Sequence, residues 1–95
     1  MNQSDLDLFA FGAFRYALGR SSYIVSDVAS LLYRHWDKLS APCKVLILKE
    51  VEEAILLYER ENDSSRIGMQ MDYLTWKTFF NCVQGNNQDV DVLFI

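Results

Sequence analysis

Ninety-five residues, 51% of them hydrophobic and 14% aromatic, are enough for one domain and too apolar for a disordered chain. A mean hydropathy of −0.02, with no apolar run approaching about 18 residues, excludes a membrane span. The net charge of −4 is unevenly placed: residues 1–49 carry six basic and four acidic side chains, residues 50–95 three and nine. An acidic second half argues against nucleic-acid binding by the surface as a whole.

The opening "MNQSDLDLF" has acids and no basic stretch, so no secretory signal is expected. Ser4 is placed to cap a first helix over about 5–18, with Asp5 and Asp7 in the turn where the dipole favours anions. Leu6, Phe9, Ala10, Ala13, Phe14 and Ala17 form its stripe, and Gly19 supplies a left-handed stop. A second helix is predicted over about 23–37, capped by Ser22 or Ser26. Ile24, Val25, Val28, Leu31, Leu32, His35 and Trp36 are its inward residues.

"LSAPCK" is a start signal, with Ser40 as the cap and Pro42 in the first turn, where its missing N–H costs nothing. The third helix runs over about 41–61, with Val45, Leu48, Val51 or Glu52, Ile55 and Tyr58 inward and Ile47, Ala54 and Leu57 widening the stripe. After the polar loop "NDSSRIGMQM", Asp72 is expected to cap a fourth helix over 73–83 that buries Trp76, Phe79, Phe80 and Val83. The tail over 86–95, with "DVDVLFI", reads equally as an edge strand, a packed segment or a docking peptide. The fold class is therefore all-α: a single four-helix domain over 1–95.

Little here points to catalysis. His35 is a lone histidine with no ligand or catalytic partner one helical turn away, and packing beside Trp36 is the plainer reading. Cys43, at the start of a helix, has either a dipole-lowered pKa or a buried, inert thiol; with Cys82 it makes neither a CxxC nor a disulfide framework. No metal spacing, phosphate loop or nucleophile elbow occurs. No enzyme activity, cofactor or metal is expected.

Charge is more informative. Glu50, Glu52, Glu53, Glu59, Glu61 and Asp63 fall within fourteen residues, offset by Arg60. Such a run is either a solvated face or an electronegative surface that competes with nucleic acid for a basic groove. In "FRYALGRSSYIV", Phe14 and Ala17 face inward, so Arg15 projects outward. Arg20, past the glycine, is placed to bond the last carbonyls of the first helix. Both arginines are expected to tie the first helix to acids of the third, or to form a contact patch with Tyr16 and Tyr23.

The pieces "FRYALGRSSY", "WDKL", "EREND" with Arg66, and "GMQMD" with Trp76 together resemble small accessory proteins of tailed bacteriophages and prophages. Their pattern is FRYxLGRxxY, then WDxL, then GMxMDxxxW, and the likeness covers about residues 8–80. Gln70 stands at the variable position of the last piece, where the proteins it resembles carry an acid. The resemblance implies an origin: a protein acting in the cytoplasm of an infected bacterium.

Small acidic proteins of that origin include anti-CRISPR and anti-restriction inhibitors, an analogy at the level of class. The resulting expectation is an inhibitor that binds a host defence complex, such as a CRISPR effector, through Glu50, Glu52, Glu53, Glu59, Glu61 and Asp63, with Arg15 and Arg20 as further contacts. Glu52, Glu59 and Asp63 lead. No direct nucleic-acid or membrane contact is expected. The alternatives are a homodimer paired through the last helix and tail, and a helix-turn-helix regulator. The acids of "EVEEA" disfavour the latter, since they would face phosphates.

Overall fold

Four helices follow one another in the expected order: α1 over Gln3–Ala17, α2 over Ser22–Arg34, α3 over Ala41–Glu61 and α4 over Gln70–Val83. A single 3-10 turn, Trp36–Lys38, lies between α2 and α3. The computed structural model describes residues 2–68 and 70–84, so the tail over 86–95 lies outside the described residues. Among them there is no strand, and the architecture is an all-α four-helix domain.

Several helix ends differ from expectation by a few residues. Asn2, not Ser4, caps α1, its side-chain oxygen accepting the Asp5 N–H at 2.8 Å; asparagine is as good a cap as serine. Ser21 occupies the cap position of α2 without a side-chain bond. Ser40 caps α3 as expected, accepting from the Cys43 N–H at 3.3 Å. Asn62, at φ 55°, ends α3 in the left-handed conformation that asparagine tolerates.

Two corrections matter more. α2 stops at Arg34, and the chain tightens into the 3-10 turn, so helical spacing does not carry through to 36. Trp36 is buried from that turn, while His35 is exposed rather than inward. α4 begins at Gln70, which puts Asp72 inside its first turn, where it is 1% exposed and not a surface cap.

The core is organised by α4, which packs against both α2 and α3, while α1 covers α2 and part of α3. Phe14, Trp76, Phe79 and Trp36 form a chain of edge-to-face rings with centroids 5.3, 5.7 and 5.5 Å apart. Each such contact adds about 0.5–1.5 kcal/mol beyond burial. Around them lie Val25, Ala29, Ile47, Val51, Ala54 and Ile67. Ile67, within the polar loop, is fully buried and anchors that loop. The inward stripe of α3 is Cys43, Ile47, Val51, Ala54 and Ile55; Val45, expected inward, is exposed.

At the other end, Asp7 of α1 locks the start of α3. It accepts from the Ser40 backbone N–H at 3.1 Å, from the Ser40 hydroxyl, and from Gln3 at 2.8 Å. The Ser40 hydroxyl bond, then the Ser40 backbone bond, hold the Asp7 carboxyl below its usual range.

Candidate functional site

At 3.6 residues per turn the acids of α3 divide between two flanks. Glu50 and Glu53 lie on one, where Arg66 of the following loop pairs with both, at 3.4 Å to Glu53. Glu52 and Glu59 lie on the other. There the Lys77 ammonium donates to Glu59 at 2.7 Å, and the Tyr73 hydroxyl donates to the same carboxylate. Tyr73 also stacks on Tyr58, centroids 4.5 Å apart.

Those bonds, from Lys77 and then Tyr73, hold the Glu59 carboxyl below its usual range, and Lys77 is raised by the same two partners, Glu59 first. Asp63 is lowered mainly by the Ser65 backbone N–H, which donates to it at 2.9 Å. The acidic run is thus partly a set of clamps: Glu50, Glu53 and Glu59 fasten the loop and α4 onto α3.

Glu52 and Glu61 are exposed and enter no ion pair among the described residues. Glu61 and Glu53 flank a shallow pocket floored by Leu56 and Leu57, with Arg60 at its side. Carboxylates around an apolar floor combine a charged rim with an anchoring surface. Leu56 and Arg60 lie on the outward ridge between the two acidic flanks, so no single uninterrupted acidic face runs the length of α3.

Arg15 and Arg20 take no part in the ion pairs found among the described residues, so the expected ties from α1 to the acids of α3 are not made there. Among those acids, Glu50 and Glu53 are taken by Arg66 and Glu59 by Lys77. Arg20 does bond the last turn of α1, its Nε–H donating to the Tyr16 carbonyl at 3.2 Å. Its guanidinium lies 4.6 Å from the Tyr16 ring centroid, and that of Arg15 lies 5.7 Å from Phe11. Both arginines are exposed.

The corner itself is built from two distant pieces of sequence. Gly19, at φ 74°, seats the α1–α2 turn on the loop before α4, where an added Cβ would lie 3.5 Å from the Ser65 carbonyl oxygen. Gly68, at φ 89°, faces both Gly19 and the carboxylate of Asp72. "FRYALGR" and "GMQMD" therefore meet in space, and the motif residues Phe14, Gly19, Gly68, Asp72 and Trp76 hold the fold together.

Cys43 is buried, and that burial, with the Asp7 charge second, pushes its thiol up, opposite to the direction a helix dipole would drive it. His35 lines an apolar groove between α1 and α2 with Leu6, Phe9, Val28, Leu31 and Leu39. Among the described residues no group of three or more His, Cys, Asp or Glu side chains is placed to hold a metal ion. No helix among them is long and apolar enough to cross a membrane.

Sequence reasoning missed Arg66, Tyr73 and Lys77 as the partners of the acids. They lie 13 to 18 residues away from them, beyond the reach of local periodicity. Comparison of the chain with known protein families, curated proteins and solved structures finds no match.

Proposed function

We propose that this chain is a non-catalytic protein-binding module, a phage accessory protein that inhibits a nucleic-acid-binding defence complex in the host bacterium's cytoplasm. The class of partner that fits is a CRISPR effector or a similar protein with a lysine- and arginine-rich channel. The observation that carries this reading is the end of α3, where Glu53 and Glu61 flank Leu56 and Leu57, with Asp63 exposed just beyond it and Glu52 exposed on the other flank. Carboxylates there substitute for phosphates, and the leucines supply the apolar anchor that charge alone lacks. Glu59, although exposed, is held by Lys77 and Tyr73, so Glu52, Glu61 and Asp63 become the leading contacts.

The test is a variant carrying Glu52→Lys, Glu61→Lys and Asp63→Asn, expressed in a bacterium whose defence system restricts a plaque-forming phage. Asparagine at 63 keeps an acceptor for the Ser65 N–H while removing the charge. Wild type is expected to restore plaque formation, and the variant to lose that effect with its helical circular dichroism unchanged. A variant that protects the phage as well as wild type does would sink the proposal.

A further inference from the structure

The outward face of α1 carries large apolar side chains that the described residues leave exposed. Leu8 is 73%, Phe9 68% and Tyr16 57% exposed. At 3.6 residues per turn these side chains share one face with Gly12, which lies at its centre, with Arg15 alongside and Asp5 at its N-terminal end. Arg20 folds back to join the C-terminal end by its contacts with Tyr16.

Gly12 is the anomaly. A glycine inside an exposed helix costs about 0.5–1 kcal/mol relative to alanine. Its backbone is helical, and a Cβ built there meets nothing within 4 Å. The described residues of one chain therefore give no reason for its small size. A second helix crossing closely at this point does.

We infer that the outward face of α1 pairs with the same face of a second copy, the two helices antiparallel and crossing at Gly12. The face is its own complement. A two-fold axis at Gly12 sets Leu8 and Phe9 opposite Tyr16 and Arg15 of the second copy, four and three residues to its other side. It also sets Asp5, seven residues before the crossing, opposite the basic end formed by Arg15 and Arg20. Asp5 enters no ion pair among the described residues, so its charge is available to that end.

An isologous pairing of this kind closes with two chains and leaves no end for further addition. The Arg20–Tyr16 unit is held in place before contact, which reduces the ordering cost, and arginine and tyrosine are the residue types that dominate interface energy. This surface is separate from the acidic end of α3. It stands whether or not that end binds a defence protein.

Sedimentation equilibrium of the full chain, from micromolar to millimolar concentration, tests it. Wild type is expected to rise from 11.0 kDa towards twice that mass. Gly12→Arg is expected to stay monomeric with unchanged helical circular dichroism and a thermal midpoint no lower than that of wild type, arginine being the better helix former. Asp5→Arg and Arg20→Asp, made singly, are each expected to weaken the dimer roughly tenfold or more, and the double swap to recover it. A wild type that is monomeric throughout overturns the inference, as does a Gly12→Arg variant that dimerises like wild type. A dimer indifferent to the charge swaps overturns the antiparallel pairing.

Discussion

Asp72 fills the space that a side chain at Gly68 would need: a Cβ on Gly68 would come 2.9 Å from the Asp72 carboxylate oxygen. Gly19 lies against the same point from the other side, 3.8 Å from that Cβ position. Two glycines 49 positions apart in the chain thus let the α1–α2 corner settle onto the loop before α4.

Gly68→Ala is expected to combine left-handed strain with this clash and to cost at least about 1–3 kcal/mol. For a domain this size each kcal/mol lowers the thermal midpoint by about 4–8 °C. Gly19→Ala carries the strain alone, since its nearest neighbours are at ordinary contact distance, 3.5 and 3.7 Å. Thermal melts of the two variants check the account; a Gly19→Ala loss as large as that of Gly68→Ala contradicts it.

Ser40→Ala is expected to cost about 1 kcal/mol through loss of the α3 cap. Because the same hydroxyl donates to Asp7, the cost should shrink when Asp7→Asn is already present. A double-mutant cycle from urea denaturation measures this coupling. Strict additivity would mean that Asp7 and Ser40 stabilise the two helices independently.

Acid should destabilise the domain through Asp7, Glu59 and Asp63, all lowered in the folded state. Their contribution is fully present above the unfolded carboxylate value of about 4 and is lost as pH falls through the lower folded values. Lys77 is raised, so its contribution is present below about 10.4 and fades as pH rises through its folded value. Denaturation midpoints across pH are expected to form a plateau with losses at both ends. In Lys77→Met the alkaline loss should diminish; an unchanged alkaline limb would remove Lys77 as its source.

Trp76→Ala removes the ring that contacts both Phe14 and Phe79 at the centre of the aromatic chain. Such a truncation costs about 3–5 kcal/mol, a large share of the about 5–15 kcal/mol that stabilises a domain. The chevron of the variant, or its chemical melt, should show a loss in that range. A loss below about 1 kcal/mol, less than the transfer term alone, would contradict the central place of Trp76 in the core.

Local chemistry was what the sequence displayed well. Ser40 followed by Pro42 places the start of α3 at Ala41, and Gly19 after the first apolar stripe marks the end of α1. Asp72 misled because aspartate before an apolar run is a surface-cap signal, whereas here a glycine from the loop covers it. Val45 misled because α3 is apolar over more than half its circumference up to Leu48, so the phase of the stripe is chosen by its neighbours. The acidic run was visible as composition. Its division into clamps and free carboxylates depended on Arg66 and Lys77, whose positions only the packing of α4 determines.

The measurement that tests the binding reading most directly is affinity capture from bacterial lysate on the immobilised full chain, at low and high salt, beside the Glu52→Lys, Glu61→Lys, Asp63→Asn variant. The account expects a nucleic-acid-binding defence protein on the wild type at low salt, released at high salt and absent from the variant. Capture of the same protein by both chains, at either salt, would contradict it.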